Sequence, residues 1–229
     1  MEHMKKHISV AIDGPSGAGK STVAKAVAKQ YGFIYVDTGA IYRTLGLAAQ
    51  NAGLDSKDAA GVVALLPSVA IDISYDADGT QIMLLDGADV SKEIRTPKSS
   101  LYASDISTIP EVRAFLLDMQ RDMAKKHDVI MDGRDIGTVV LPDAEVKIFL
   151  DASAEERARR RCLELEQKGI ETPFDEVLRD IEYRDRQDTT RAAAPLKAAE
   201  DAIKVDSSNL NFTETVEAVR AVIRDKTGR

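Results

Sequence analysis

The sequence predicts an α/β protein of three layers (α/β/α) around a central parallel sheet of about five strands, with a small antiparallel β insertion and a short helical lid. Three observations carry this reading. Short apolar, β-branched runs alternate with longer stretches of helical periodicity, as in parallel sheets with crossover helices. These runs are apolar throughout, as strands covered on both faces are. One stretch, residues 69–95, instead alternates apolar with polar residues and contains its own turn.

Taken in order, Ile8-Ser9-Val10-Ala11-Ile12 opens the sheet. A glycine-rich turn follows, and Ser21 to Gln30 carries the first helical pattern. Phe33-Ile34-Tyr35-Val36 is the second strand. Thr38 stands where it can cap the next helix, which carries Arg43. In the insertion, Val69, Ile71, Ile73 and Tyr75 alternate, Asp78-Gly79 turns the chain, and Ile82-Met83-Leu84-Leu85 returns. By pattern alone this hairpin is equally a decoration or a mobile substrate-binding subdomain. Pro110 opens a helix bearing Arg113 in its first turn. Val129-Ile130-Met131, Val146 to Leu150 and Ala202 to Val205 complete the sheet. Between the last two, Glu155/Arg159 and Glu156/Arg160 pair at four-residue spacing, with Asp151 and Ser153 as candidate caps. Lys168-Gly169 offers a hinge or stop, and Arg184, Asp188 and Arg191 share a helix face by spacing. The whole chain, 1–229, reads as one domain. Its core spans roughly 1–45, 101–155 and 191–229, the insertion roughly 46–100 and the lid roughly 156–190.

A chain of 229 residues can bury a sizeable core, and 44% hydrophobic with 30% charged residues argues against disorder. No apolar run approaches the roughly 18–20 residues of a membrane span. Residues 1–7 lead into no small-residue cleavage site, so a cytoplasmic location is expected rather than a secretory signal. The single cysteine, Cys162, excludes an intrachain disulfide and reads as packing; His3, His7 and His127 have no partner at metal-ligand spacing. The net charge of −7 argues against a nucleic-acid polymer as partner. Taken alone it also argues weakly against an anionic substrate, a matter that local charge placement decides.

Gly14-Pro15-Ser16-Gly17-Ala18-Gly19-Lys20-Ser21 matches G-x-x-x-x-G-K-[ST], follows a strand and opens a helix. Glycines let the backbone curl until several N–H groups converge on phosphate oxygens, and the helix adds its positive end. Lys20 is placed to reach the β- and γ-phosphates and Ser21 to ligate Mg²⁺. Such a loop is shared by small-molecule kinases, GTPase switches and ATP-driven motors. The shortness of the chain and the lack of a guanine-specificity N-K-x-D motif favour a small kinase.

Four strands run into an acidic residue, Asp13, Asp37, Asp132 and Asp151, at the carboxyl ends where open α/β sheets bind ligands. Arg43 lies about one and a half turns into its helix, where its fork could hold an acceptor phosphate. Arg134 and Asp135 would project over the sheet, or form an ordinary turn with a local ion pair. The arginines from Arg157 to Arg161 form either a solvated salt-bridged face or a lid that neutralises charge in transfer. Ser207-Ser208-Asn209 would cradle adenine or make a turn and cap.

Ile12 to Lys20, Asp37-Thr38-Gly39-Ala40-Ile41-Tyr42-Arg43 and Asp132-Gly133-Arg134-Asp135-Ile136-Gly137-Thr138-Val139-Val140 together resemble the bacterial-type cytidylate kinases. Ala144 to Arg157 and Arg184 to Leu196 continue the resemblance, so that it covers nearly the whole chain. It implies a P-loop NTPase fold whose β insertion belongs to the acceptor-binding (NMP-binding) subdomain. The implied reaction is Mg-ATP-dependent transfer to CMP or dCMP in pyrimidine nucleotide metabolism. ATP would be held by residues 14–21, Thr22 and Arg157, and Mg²⁺ by Ser21 with Asp37 behind a water. Arg43 and Arg134 would hold the CMP phosphate; Thr38, Arg113, Asp135 and Arg191 the cytosine; Ser104, Arg184 and Asp188 the sugar. Lys20, Arg134, Arg157 and Arg161 would stabilise the transition state. Thr38 departs from the Ser of many members, and its extra methyl bears on base preference. A monomer is expected, with no nucleic-acid polymer and no membrane as partner. The rival readings are a kinase for UMP, AMP or shikimate, and a nucleotide-dependent switch.

Overall fold

In order along the chain stand β1 (Ser9–Asp13), α1 (Lys20–Tyr31), β2 (Ile34–Asp37), α2 (Thr38–Asn51), α3 (Ala59–Leu65), β3 (Ile71–Tyr75), β4 (Gln81–Leu85) and β5 (Ala88–Asp89). Then come α4 (Pro97–Ile106), α5 (Pro110–Lys126), β6 (Val129–Gly133), a π-helical turn (Ile136–Val140), β7 (Val146–Asp151), α6 (Ala154–Gln167), α7 (Phe174–Thr190), β8 (Ile203–Asp206) and α8 (Phe212–Thr227). The computed structural model describes residues 7–167 and 169–229. The expectations for His3 and Lys168 lie outside the described residues.

The five apolar runs form one parallel sheet in the order β2-β6-β1-β7-β8. Val10, Ala11 and Ile12 of β1 and Val129, Ile130 and Met131 of β6 are fully enclosed, which is why they show no alternation. Val10 pairs with Val146 and Ile12 with Ile148. The fifth strand starts at Ile203, one residue later than expected, on the sheet edge where Ile203 is exposed.

Two compact units emerge from the packing. The first holds His7 and residues 34–129, the second residues 8–33 and 130–229. In the first unit, β3, β4 and β5 make an antiparallel sheet, with Ile73 opposite Met83 and Tyr75 opposite Gln81. Its hairpin closes because Asp76 accepts from the Asp78 and Thr80 N–H groups and Gly79 takes φ 76°. Helix α4 packs on α2. It begins with Thr96 capping the Ser99 N–H and Pro97 at its first position, a start signal the sequence reading passed over. In the second unit α1 packs on α8, and α6 on α7 around Ala158, Val177 and Ile181, with Cys162 against that cluster.

Local capping differs from expectation at three places. Helix α2 is capped by Asp37, whose Oδ1 accepts from the Ala40 N–H at 2.8 Å, while Thr38 is already helical and buried. Ser153 accepts from the Glu156 N–H, whereas the Asp151 carboxylate turns to the Ala152 N–H. Helix α7 ends at Thr190, so Arg191 leaves the helical face and its backbone is extended.

Candidate functional site

The second unit contains the phosphate loop, between β1 and α1. Its first glycine is dictated by space: a Cβ on Gly14 would fall on the Leu150 carbonyl oxygen of β7. A Cβ on Gly17 would lie 3.3 Å from the Cβ of Arg157 on α6. Gly19 precedes α1 without a side-chain cap, which leaves first-turn N–H groups open to an anion. Lys20 is 5% exposed, and its ammonium donates to the Pro15 carbonyl at 2.7 Å. Burial, helped by the charge of Arg134, pulls it down to about 7. Ser21 Oγ donates to Asp132 Oδ2 at 3.0 Å. The hydroxyl and carboxylate are both hard oxygen donors, the pairing that suits Mg²⁺ completed by phosphate oxygens. Among the described residues no cluster of three or more His, Cys, Asp or Glu side chains could hold a metal by itself.

Two arginines of α6 reach this loop. Arg157, 4% exposed, donates from Nε to the Ala152 carbonyl at 2.8 Å and from Nη1 to the Ser16 carbonyl at 3.0 Å. Its fork also grips Asp185 of α7 at 3.0 and 2.6 Å. Arg160 donates to the Ser207 carbonyl at 2.6 Å and to Glu156, with Nη1 3.9 Å from where a Gly19 Cβ would be. Arg161 pairs with Glu164 at 2.7 Å on an exposed surface, and Arg159 pairs with Glu156 rather than Glu155. Arg160 was expected only as one of the lid arginines from Arg157 to Arg161; its three-residue offset from Arg157 puts the two on one helix face. The Ser207 hydroxyl donates to the Asp151 carbonyl and the Ser208 hydroxyl to Asp206, contacts of a turn.

After β6 the chain gathers the opposite charges. Arg134 Nε donates to Asp188 Oδ2 at 2.6 Å, and Arg191 Nη2 to Asp135 Oδ1 at 3.3 Å. Arg191 Nε donates to the carbonyl of Ala194, which takes φ 50°. Burial alone would raise the Asp188 carboxyl, but Arg134, Arg191 and Arg184 outweigh it and hold it below the usual carboxylate range. Asp13, at the end of β1, accepts the N–H groups of Ile136 and Gly137, each at 2.7 Å. Burial pushes its carboxyl up to about 6 against those two bonds. The sequence marked Asp13 only as a strand-end acid; its partners lie more than a hundred positions on.

The first unit builds a second charged cluster around Asp37. Its Oδ2 accepts from Arg43 at 2.9 Å and from Arg95 at 3.1 Å. Burial works to raise this carboxyl, and the two guanidiniums override it and hold it low. Gln81, 6% exposed, brackets the same residue: its Oε1 accepts from the Asp37 N–H at 2.7 Å and its Nε2 donates to the Asp37 carbonyl at 3.3 Å. Arg43 Nε is buried with no acceptor, an open donor on α2. The expected water-bridged metal contact of Asp37 contrasts with this: its carboxylate is taken by arginines, and the carboxylate at Ser21 is Asp132. Arg113 donates to the Ser107 carbonyl with its guanidinium 5.8 Å over the Tyr42 ring, and the Ser104 carbonyl accepts from Ser107. Arg95 and Gln81, both missed in sequence, lie where the insertion hid them from any motif.

Known proteins resemble this chain over nearly its whole length. The family model described as cytidylate kinase matches residues 10–225. A relative named cytidylate kinase in Caldicellulosiruptor saccharolyticus is 53% identical over 214 residues, covering 93% of this chain and 94% of its own. Namesakes in Geobacter sp. (strain M21) and Pelotomaculum thermopropionicum are 48% and 47% identical; they cover 96% and 99% of this chain, and the alignments span 94% and 99% of their own.

Proposed function

The chain belongs to the cytidylate kinase family, and from that premise we propose that it transfers the γ-phosphoryl group of ATP to CMP or dCMP, giving CDP or dCDP and ADP. One observation carries the reading beyond the family name. Ser21 of the phosphate loop donates to Asp132 at 3.0 Å, two residues before Arg134, so the loop for the donor phosphates and the arginine for an acceptor phosphate lie on adjoining segments. A switch protein has no need of the second anion site.

In this proposal the loop from Gly14 to Ser21, with Thr22, Arg157 and Arg160, holds ATP. Lys20 exchanges the Pro15 carbonyl for phosphate oxygens. Ser21 and Asp132 would hold Mg²⁺, which would supply charge neutralisation at the phosphates when bound. Arg43 and Arg134 take the acceptor phosphate, Thr38, Arg113, Asp135 and Arg191 the base, and Ser104, Arg184 and Asp188 the sugar. The cytosine amine donates to Asp135, while Arg113 and Arg191 donate to the ring acceptors; uracil presents an acceptor where Asp135 needs a donor. The acceptor phosphate oxygen is itself the nucleophile, so no general base is required. Transfer is aided by placement and by Lys20 and Arg134, with Arg157 and Arg161 as further candidates. Of these two, Arg157 is fastened to the Ser16 carbonyl of the loop and Arg161 to Glu164. A monomer in the cytoplasm suits this chemistry, since one chain supplies every named residue and the free Cys162 suits a reducing compartment.

The test is ADP release from Mg-ATP with CMP, dCMP, UMP, AMP or shikimate added in turn. CMP and dCMP should give the largest kcat/KM. No stimulation by either, or a stronger response to another acceptor, sinks the proposal.

A further inference from the structure

Asp13 is a buried carboxylate to which the transfer reaction gives no task. It stands one residue before the phosphate loop, 3% exposed. Each of its oxygens accepts one main-chain N–H at 2.7 Å, from Ile136 and from Gly137. Two short charge-assisted bonds to consecutive N–H groups fix both the place and the direction of a peptide plane. Those residues open the π-helical turn, and the residue before them is Asp135, the proposed base reader. The turn is also tightly bounded on its other side: a Cβ on Gly137 would lie 3.3 Å from Asp13 Oδ2 and 3.2 Å from Lys147 Cδ. Arg134 has a separate anchor in Asp188 at 2.6 Å, and Asp135 meets Arg191 at 3.3 Å. The peptide that follows Asp135 carries the Ile136 N–H that Asp13 holds, so the main chain from which the Asp135 carboxylate projects is set by that clamp.

We infer that Asp13 is a positioning residue for base selection: by clamping Ile136 and Gly137 it aims the Asp135 carboxylate, and so favours cytosine over uracil. This rests on the cytidylate kinase reading above. An aspartate serves because it presents two acceptors to two donors. An asparagine of the same shape presents one acceptor and one donor, and must set an N–H against an N–H or rotate away.

The experiment compares wild type, Asp13→Asn and Gly137→Ala for kcat and KM with CMP and UMP at saturating Mg-ATP, for KM of ATP, and for thermal midpoint. In Asp13→Asn the ratio of kcat/KM for CMP over UMP should fall about tenfold. The KM for ATP should stay within about twofold, because the phosphate loop keeps its own contacts, and kcat with CMP within about threefold, because Arg134 keeps Asp188. Gly137→Ala presses on the same bond from the other side and should lower the ratio in the same direction; it decides the matter if Asp13→Asn does not fold. An unchanged ratio with only a lower midpoint makes Asp13 structural and overturns the inference. An unchanged ratio with a raised KM for ATP assigns it to the donor site and overturns the inference as well. A wild type that ignores CMP overturns the functional reading itself, whereas a CMP-active wild type with an unaltered ratio in the variants overturns only the role of Asp13.

Discussion

Asp13 and Asp37 are both buried strand-end aspartates, and their surroundings drive them opposite ways. Asp37 faces two guanidiniums and is held low; Asp13 faces neutral N–H groups, loses more to burial than they return, and rises to about 6. Their contributions to stability then have opposite pH slopes. Asp37 and Asp188 contribute stability above the unfolded carboxyl value of 3.8 and lose it as pH falls through their lowered folded values. Asp13 contributes most below 3.8 and loses that contribution as pH rises through about 6. Denaturant unfolding of wild type and Asp13→Asn between pH 4 and 7 should therefore show the wild type losing about 2 kcal/mol relative to the variant as pH rises. A constant difference would mean that Asp13 titrates normally. Arg157 makes a related point. Its Nε and both ends of its fork bind protein acceptors, so it braces the loop at Ser16.

At the scale of elements, the insertion does more than extend a surface. Through Gln81, strand β4 holds both main-chain groups of Asp37 at the β2–α2 junction, and Tyr75 of β3 donates to the Tyr35 carbonyl within β2. The antiparallel sheet thus fixes the start of the helix that carries Thr38 and Arg43. Gln81→Leu should leave the Asp37 N–H without its acceptor, at a cost of about 1–3 kcal/mol. It should raise the KM for CMP several-fold, about 0.6–1.4 kcal/mol in binding, while the KM for ATP stays put. Equal changes in both constants would refute this division of labour. What the sequence disclosed at this scale was whatever is local. The phosphate loop reads directly because its glycines and Lys20 are fixed by the turn they make. The hairpin at Asp78-Gly79 reads for the same reason. The cap of α2 was misassigned to Thr38 because Asp37 and Thr38 are both good caps and only the geometry of the strand end chooses between them. Arg95, Gln81 and the partners of Asp13 could not be read, since each acts on a residue 44 to 124 positions away or lies inside the insertion.

For the whole molecule, the strand order carries information that no single strand holds. Each central strand is apolar on both faces and would suit any slot; only the fold makes β6 the neighbour of β1. That adjacency is what lets Asp132 meet Ser21 and lets Asp13 meet the turn after Asp135. The charge follows the same logic. The chain is formally −7, yet Lys20, Arg134, Arg157, Arg160, Arg184 and Arg191 all belong to one unit, several of them buried against carboxylates. Phosphates arriving there relieve repulsion among cations, so binding should stabilise the fold. ATP at about a hundred times its Kd should add about 2.7 kcal/mol and raise the melting temperature by about 5–10 °C. Differential scanning calorimetry with ATP, and with sulfate at the same ionic strength, checks this; an equal rise with both would assign it to generic anion binding.

Gly14 has a consequence in the language of inheritance. Every single-nucleotide change in a glycine codon that replaces glycine by another amino acid adds a β-carbon. At this position the β-carbon would meet the carbonyl oxygen of Leu150, part of a strand that cannot retreat because Val205 of β8 pairs with it on its other side. No one-step replacement of that glycine leaves the loop its shape, and no neighbouring side chain can move aside to compensate, because the obstacle is backbone. The residue is closed to drift from the day the fold is adopted, and only the third base of its codon stays free.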